Sequence, residues 1–217
     1  MTYRLIVGTK NWSSWSLRPY MALRHIGVPF AEDVIRLRSD TTSEEVQRRT
    51  PAGRVPVLEI EEDNVSYAVW DSLAICETLA ERHPEAGLWP QDGRARAMAR
   101  SYAAEMHAGF PDLREQLSMN FARTMPCPAL RDATRAQIAR IVAAWCSALE
   151  EIGARGGFLF GEFSVADCMY APVVSRFRTY GIALPPLAEA YASRMAALPA
   201  MTDWGRASLA EVDAGIV

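Results

Sequence analysis

Residues 50–60 have the sequence TPAGRVPVLEI, a tight turn that leads through a proline into an apolar strand. Gly53 can take the positive φ that such a turn needs, and the ring of Pro51 fixes φ near a turn value. Proline is tolerated at the first position of a strand, and an X-Pro bond is the usual place for a cis peptide, so Pro56 is a candidate cis-proline. In that conformation the backbone N–H and C=O of Val55 would point away from the sheet, free to pair with a peptide-like ligand. The alternative is an ordinary edge-strand proline.

Length, composition and charge indicate a globular protein with a sizeable core. The chain has 217 residues, 50% of them hydrophobic, and a formal net charge of -3. Acidic and basic residues are interspersed, which excludes the basic footprint of a nucleic-acid-binding protein. The N-terminus leads into a short apolar strand and not into a signal-peptide core, and no apolar run approaches bilayer length. We therefore predict a cytoplasmic protein that binds neither nucleic acid nor membrane.

The cysteines are too dispersed for a metal site. Cys76, Cys127, Cys146 and Cys168 include no Cys-x-x-Cys pair. Zinc sites depend on closely spaced ligands, so the spacing predicts no metal centre. The four thiols are expected to be reduced, and three of them lie in helical patterns where cysteine is ordinary packing.

The first part of the chain alternates strands and helices in the order βαβαββα. Apolar runs with strand character are separated by helical patterns, and Gly27 is placed to end the first helix. Residues 61–64, between two of the strands, contain the turn formers of a hairpin. The predicted elements are strand 3–7, helix 15–26, strand 30–37, a short helix opening at Thr42, strands 57–60 and 65–69, and a helix from Asp71 to about His83.

Beyond residue 93 only helical patterns remain. Residues 84–93 are rich in proline and glycine, which predicts a linker between a domain of residues 1–83 and an all-helical domain of residues 94–217. Apolar residues recur at helical spacing in residues 94–123, 134–153, 165 onwards, 185–198 and 199–213. Ser164 and Asp167 have the spacing of a capping box and are interpreted as structural.

Four motifs, in this order and at these spacings, make the whole chain resemble the glutathione transferase family. They are NWSSWSLR at residues 11–18, GRVPVL at 53–58, Asp71-Ser72, and FSVAD at 163–167. The resemblance implies a thioredoxin-like N-terminal domain that binds glutathione as co-substrate, an all-α C-terminal domain that shapes a pocket for a small hydrophobic electrophile, and a homodimer. The serine-rich loop is most similar to the zeta class, which includes maleylacetoacetate isomerases.

Ser13 and Ser14 are the candidate catalytic residues. Glutathione reacts as its thiolate, and a free thiol with a pKa of about 8.5 is mostly protonated at neutral pH. A serine hydroxyl at the start of a helix can donate a hydrogen bond to the anion, helped by the helix dipole. The zeta pattern favours Ser13, whereas the residues themselves do not separate the two. The alternative is that Ser13, Ser14 and Ser16 are all capping serines.

The remaining glutathione contacts are predicted at the turn before the third strand and at the start of the helix that follows the sheet. Val55, with Pro56, would pair with the peptide backbone of glutathione. Ser72 could hold the γ-glutamyl carboxylate and Asp71 its ammonium group, although Asp-Ser here is also an ordinary helix cap. Two arginines, Arg38 and Arg54, could meet the glycyl carboxylate.

The acceptor pocket is predicted on the helix that begins near residue 94. Met106, His107 and Phe110 could line it, although an apolar stripe at helical spacing is more often core. Pro111 cannot donate to the carbonyl of His107, so we expect a kink that leaves this carbonyl free unless another donor reaches it.

Two classes of function remain open. The first is an enzyme that adds glutathione to an electrophile or uses it for cis–trans isomerisation of an unsaturated acid. The second is a non-catalytic binding or regulatory protein with the same fold. Retention of the serine loop, Val55-Pro56 and Asp71-Ser72 favours the enzyme, because a scaffold does not need a thiol-activating loop.

Overall fold

The computed structural model describes residues 1–153 and 156–217. Its four strands are β1 (Thr2–Gly8), β2 (Phe30–Ile35), β3 (Val57–Glu62) and β4 (Val65–Trp70). They form one sheet in the order β2-β1-β3-β4, in which β1 is parallel to β2 and antiparallel to β3, and β3 is antiparallel to β4. The predicted order of strands and helices is confirmed.

Three helices cover the two faces of this sheet. They are α1 (Ser14–Ile26), α2 (Thr42–Arg49) and α3 (Ser72–Arg82). The period of two along β1 sends Leu5 and Val7 into the main core with α1 and α3, whereas Ile6 packs with Val46 of α2 in a small core on the opposite face. The sheet therefore holds α1 and α3, whose N-termini carry four of the predicted site residues, on one side.

The second half of the chain consists mainly of helices around a buried central helix. They are α4 (Gly93–Ala108), α5 (Pro111–Gln116), α6 (Asp132–Glu151), α7 (Val165–Thr179), α8 (Pro186–Ala196) and α9 (Pro199–Asp213). Almost every residue of α7 is buried, because the helix packs against α1, α4 and α8. The predicted capping box of Ser164 and Asp167 is present at its start. The main core is thus continuous across both halves.

The segment predicted as a linker is more ordered than its composition suggests. Residues Pro84–Ala86 form a 3-10 turn, and Leu88 and Trp89 are buried in the main core. The backbone N–H of Val165 donates to the carbonyl of Leu88 at 2.9 Å. Two apolar side chains thus fix the segment to the helical half, and the domain boundaries stay a prediction.

Local departures from the expected pattern are small. The hairpin between β3 and β4 turns on two residues, Asp63 and Asn64, whose φ angles of 50° and 62° match a primed turn. Isolated bridges join Phe158 to Gly161 and Phe160 to Glu162, so the second half is not purely helical.

Within the described residues, no helix is long and apolar enough to cross a membrane.

Candidate functional site

A cavity of about 480 Å³ lies where the turn before β3, the start of α3 and the end of α4 meet. Six of the residues predicted from the sequence line it: Arg54, Val55, Pro56, Asp71, Ser72 and His107. Trp15, Ala52 and Trp70 complete the wall. Segments far apart in sequence therefore converge on one site.

The turn before β3 presents backbone polar groups at the cavity. The Val55-Pro56 peptide bond is cis, as predicted. The ladder of β3 begins only at Val57. Within the described parts of the chain, the N–H and C=O of Val55 have no hydrogen-bond partner. One donor and one acceptor are thus available to a ligand with a peptide backbone.

Asp71 forms the cap of α3 and also contacts the helical half. Its Oδ1 accepts hydrogen bonds from the backbone N–H of Leu73 at 2.9 Å and of Ala74 at 3.3 Å. Its Oδ2 lies 3.2 Å from Nε2 of His107. The backbone of Asp71 has a φ of 75°, which is uncommon for a residue with a side chain. The carboxylate is therefore oriented by three neighbours, and Oδ2 remains on the cavity side with a single contact.

Behind Ser72 lies a buried arginine. Arg18 of α1 is fully buried, and its Nη1 donates to the Ser72 hydroxyl at 3.3 Å. Its Nε and Nη2 have no hydrogen-bond partner among the described residues. Burial, and to a smaller extent the positive charge of Arg114, lowers the pKa of Arg18 to about 9. Arg18 is therefore still charged at neutral pH, with Asp71 as a nearby opposite charge but no direct ion pair among the described residues.

Two guanidinium groups lie over the indole ring of Trp15. The Arg18 guanidinium lies 4.3 Å from the centre of the indole and that of Arg114 lies 4.7 Å from it. Arg114 also donates to the carbonyl of Gly109 at 3.0 Å and to that of His107 at 3.4 Å. The His107 carbonyl that Pro111 cannot satisfy thus receives its donor from the first turns of α5.

His107 joins this group from α4. Its ring packs edge-on against Trp15, with 5.4 Å between ring centres, and its Nδ1 is buried without a partner in the described structure. Burial lowers the pKa of His107, the Asp71 carboxylate opposes this, and the charges of Arg18 and Arg114 reinforce it. The neutral imidazole, donating from Nε2 to Asp71, fits these surroundings.

The serine pair lies beside the cavity and does not line it. Ser13 precedes α1, and its hydroxyl donates to the Ser16 hydroxyl at 2.7 Å. Ser16 in turn accepts from the backbone N–H of Gly8 at 3.1 Å. The Ser14 hydroxyl, in the first turn of α1, has no partner within the described residues. The two serines are therefore not equivalent, because the proton of Ser13 is already donated.

Three of the predicted site residues lie elsewhere. Arg38 is exposed, with a φ of 61°, and its guanidinium stacks on Trp12 at 4.4 Å. Met106 and Phe110 are buried in the main core and do not line the cavity. Their side chains pack in the core, the alternative that the apolar stripe also allowed, and a role in the acceptor pocket stays a prediction.

Trp15, Arg18 and Arg114 were not among the site residues predicted from the sequence. Trp15 and Arg18 are three residues apart on α1. This spacing places them on the same face of a helix and so indicates their contact. No comparable signal connects Arg114, which is almost one hundred residues away in the chain.

Two models of one protein family match the chain. The glutathione S-transferase N-terminal domain matches residues 12–82, and the glutathione S-transferase C-terminal domain matches residues 128–206. Together they cover more than half of the chain and both structural halves. The resemblance that the sequence motifs carried is confirmed.

The individual relatives that the chain resembles include maleylacetoacetate isomerases. A probable maleylacetoacetate isomerase of Caenorhabditis elegans is 29% identical over 100 residues, which span 46% of this chain and 44% of that protein. The maleylacetoacetate isomerase of Rattus norvegicus is 29% identical over 179 residues, 80% of this chain and 77% of that protein. The matched part of the nematode protein is thus less than half of its length.

One solved structure combines a similar sequence with a bound ligand. The maleylacetoacetate isomerase of Anaeromyxobacter dehalogenans, crystallised with glutathione in its active site, has a TM-score of 0.67 and 28% identity over 94% of each chain. A second structure of that isomerase contains dicarboxyethyl glutathione and citrate. From the two family models and the matching fold, this chain belongs to the glutathione S-transferase family.

Proposed function

We propose that the chain binds glutathione in the cavity beside α3, stabilises its thiolate and adds it to a small electrophile. The observation that carries the proposal is the convergence of unpaired polar groups on one cavity. Val55 offers a backbone donor and acceptor, and Ser72 offers its N–H and hydroxyl at the start of α3. A tripeptide with a carboxylate at each end and an ammonium group has the complementary chemistry.

The γ-glutamyl end fits the start of α3. Its carboxylate would meet the Ser72 N–H and hydroxyl, where the helix dipole and the charge of Arg18 both favour an anion. Its ammonium group would meet Oδ2 of Asp71. For the glycyl carboxylate the exposed Arg54 is better placed than Arg38, because Arg54 lines the cavity.

We assign the activation of the glutathione thiol to Ser14 in preference to Ser13. A serine that activates a thiolate must donate its proton to sulfur, and the Ser13 proton already goes to Ser16. The Ser14 hydroxyl is uncommitted and lies in the first turn of α1, where the helix dipole also stabilises an anion.

Ser14→Ala is expected to raise the pKa of the bound glutathione thiol by about one to two pH units, since a hydrogen bond to a charged group contributes roughly 1.5 to 3 kcal/mol. Binding of the peptide portion should change little, because Val55 and Ser72 hold it. Thiolate absorbance against pH in the binary complex measures the effect, and Ser13→Ala is the matched control. Loss of the thiolate in Ser13→Ala alone would return the role to Ser13, and no loss in either variant would exclude a serine mechanism.

The relatives favour a second candidate reaction at the same site, the glutathione-dependent isomerisation of an unsaturated acid. Both reactions begin when the thiolate adds to an electrophilic carbon. In isomerisation the single bond so formed in the acceptor rotates and the thiolate leaves again, so glutathione is not consumed. Incubation with maleylacetone-type acids and with aromatic chlorides, followed by product analysis and a thiol count, distinguishes the two.

The proposal includes a homodimer with β4, α3 and α4 at its interface. The edge strand β4 exposes apolar side chains, with Val65, Tyr67 and Trp70 at 59%, 38% and 43% exposure. Trp70 also lines the cavity, so a partner subunit there would border the site.

A cytoplasmic location is part of the same proposal, because thiols remain reduced there.

Sedimentation at micromolar concentration is expected to give twice the chain mass of 24.0 kDa. Tyr67→Asp should raise the dissociation constant of the dimer by about 100-fold or more, because it would replace an apolar ring at the interface by a charged carboxylate. Val34→Asp places the same group on the opposite edge strand and should leave the dimer intact. A wild-type monomer, or equal effects of the two variants, would contradict this interface.

A further inference from the structure

The loop that carries the serine pair is held by the last helix of the chain. This serine loop, residues 9–14, comprises the connection from β1 to α1 and the first residue of α1. Oε1 of Glu211 in α9 accepts from the backbone N–H of Lys10 at 2.7 Å, and Oε2 accepts from that of Asn11 at 2.8 Å. The indole N–H of Trp204, also in α9, donates to the Lys10 carbonyl at 2.9 Å. One carboxylate therefore binds two consecutive amides of the loop, which fixes the orientation of the loop as well as its position.

A second segment of the helical half holds the same loop. The side-chain amide of Asn11 donates to Oδ1 of Asn120 at 2.7 Å and accepts from the N–H of Ala122 at 2.8 Å. The N–H of Phe121 donates to the Asn11 carbonyl at 3.1 Å. Asn11 is thus anchored through its backbone and its side chain.

The anchored residues are directly connected to the serines. The N–H groups of Trp12 and Ser13 donate to the carbonyl of Thr9 at 3.1 Å and 2.9 Å, which closes a tight turn around Lys10 and Asn11. Ser14 begins α1 immediately afterwards. A change in the orientation of the Lys10 and Asn11 peptides therefore displaces the Ser14 hydroxyl.

We propose that Glu211 is a positioning residue for thiol activation: by binding the Lys10 and Asn11 amides it holds the serine loop where Ser14 can donate to the glutathione sulfur. The inference rests on the proposed function for its chemical consequence. Glu211 itself would touch neither glutathione nor the acceptor. We therefore expect it to affect the pKa of the bound glutathione thiol and not the affinity for glutathione.

The test compares the full-length wild type with Glu211→Ala and Glu211→Gln. Glutamine keeps the shape of the side chain and one acceptor oxygen. Glu211→Gln therefore replaces Glu211→Ala in the comparison if the alanine variant folds poorly. Glu189→Ala is the matched control, because it removes an exposed carboxylate whose hydrogen bond is to Ser193 within α8. Amide hydrogen exchange of the peptide that spans residues 9–14 is measured without ligand, and thiolate absorbance against pH is measured with glutathione.

In Glu211→Ala we expect about tenfold faster exchange in the serine loop or more, a rise of about one pH unit in the pKa of bound glutathione, and a KM for glutathione within about threefold of wild type. Glu211→Gln should give smaller changes of the same sign, and Glu189→Ala none.

Unchanged exchange in both Glu211 variants would overturn the role of Glu211 in holding the loop. Faster exchange with an unchanged thiolate titration would overturn the positioning role. A wild type that forms no glutathione thiolate would refute the proposed function and with it the positioning role, and the exchange data would still decide whether Glu211 holds the loop.

Discussion

Asp167→Asn is expected to lower the free energy of unfolding by about 2 to 4 kcal/mol, because it places an amide N–H₂ among groups that all donate. Asp167 is fully buried at the start of α7. Its oxygens accept from the N–H of Leu159 at 3.2 Å, from the N–H and hydroxyl of Ser164 at 2.9 Å and 3.1 Å, and from the Tyr191 hydroxyl at 3.0 Å. The carboxylate therefore connects the loop before α7, the cap of α7 and α8, and asparagine satisfies at most part of these donors.

Urea denaturation measures this loss. Asp132→Asn is the matched control: its carboxylate is also near a helix start, on α6, but its side chain is 97% exposed. The control should remain within about 0.5 kcal/mol of wild type. A change below about 1 kcal/mol in Asp167→Asn would mean that these hydrogen bonds contribute little net stability.

The fold could be predicted because each element has a local signal. Alternation along β1, Gly27 after α1 and the Ser164–Asp167 box before α7 each specify an element or its end from a few neighbouring residues. The burial found within the segment predicted as a linker has no such local signal. Proline and glycine indicate irregular backbone, but the burial of Leu88 and Trp89 depends on α7, which is distant in sequence.

The site was predictable where backbone geometry decides it. Val55-Pro56 and Asp71-Ser72 occupy turns and caps with sequence signals, and both line the cavity. Apolar spacing alone could not show whether Met106 and Phe110 line a pocket or pack in the core. Successive residues on an α-helix are rotated by about 100°, so His107 faces the cavity while Met106 faces the core.

The stack of Arg18, Trp15 and Arg114 could not be predicted in full, because it joins α1 to α5 and the two helices meet only in the folded chain. A buried, incompletely paired arginine also violates the general rule that buried charges are paired. Such violations occur preferentially at functional sites, which supports the assignment of this region to ligand binding.

Arg18→Met should therefore have opposite effects on stability and on binding. Without ligand, the substitution replaces a buried cation that has two unpaired nitrogen atoms by an apolar side chain, which should raise the free energy of unfolding by about 1 to 3 kcal/mol. With glutathione, it removes the charge and the donor behind Ser72, and the dissociation constant should rise about 10- to 100-fold.

Arg176→Met is the matched control, since Arg176 is also buried but donates to the carbonyls of Arg114 and Leu117. Burial lowers the pKa of Arg176 to about 10, so it too is charged at neutral pH. Its loss leaves buried carbonyls unpaired, and we expect it to lower the free energy of unfolding by about 2 to 4 kcal/mol. Urea denaturation and calorimetric titration with glutathione measure both quantities for each variant. If Arg18→Met destabilises the unliganded protein as Arg176→Met does, Arg18 is an ordinary structural residue; if it is more stable but binds glutathione as wild type does, the ligand carboxylate does not lie at Ser72.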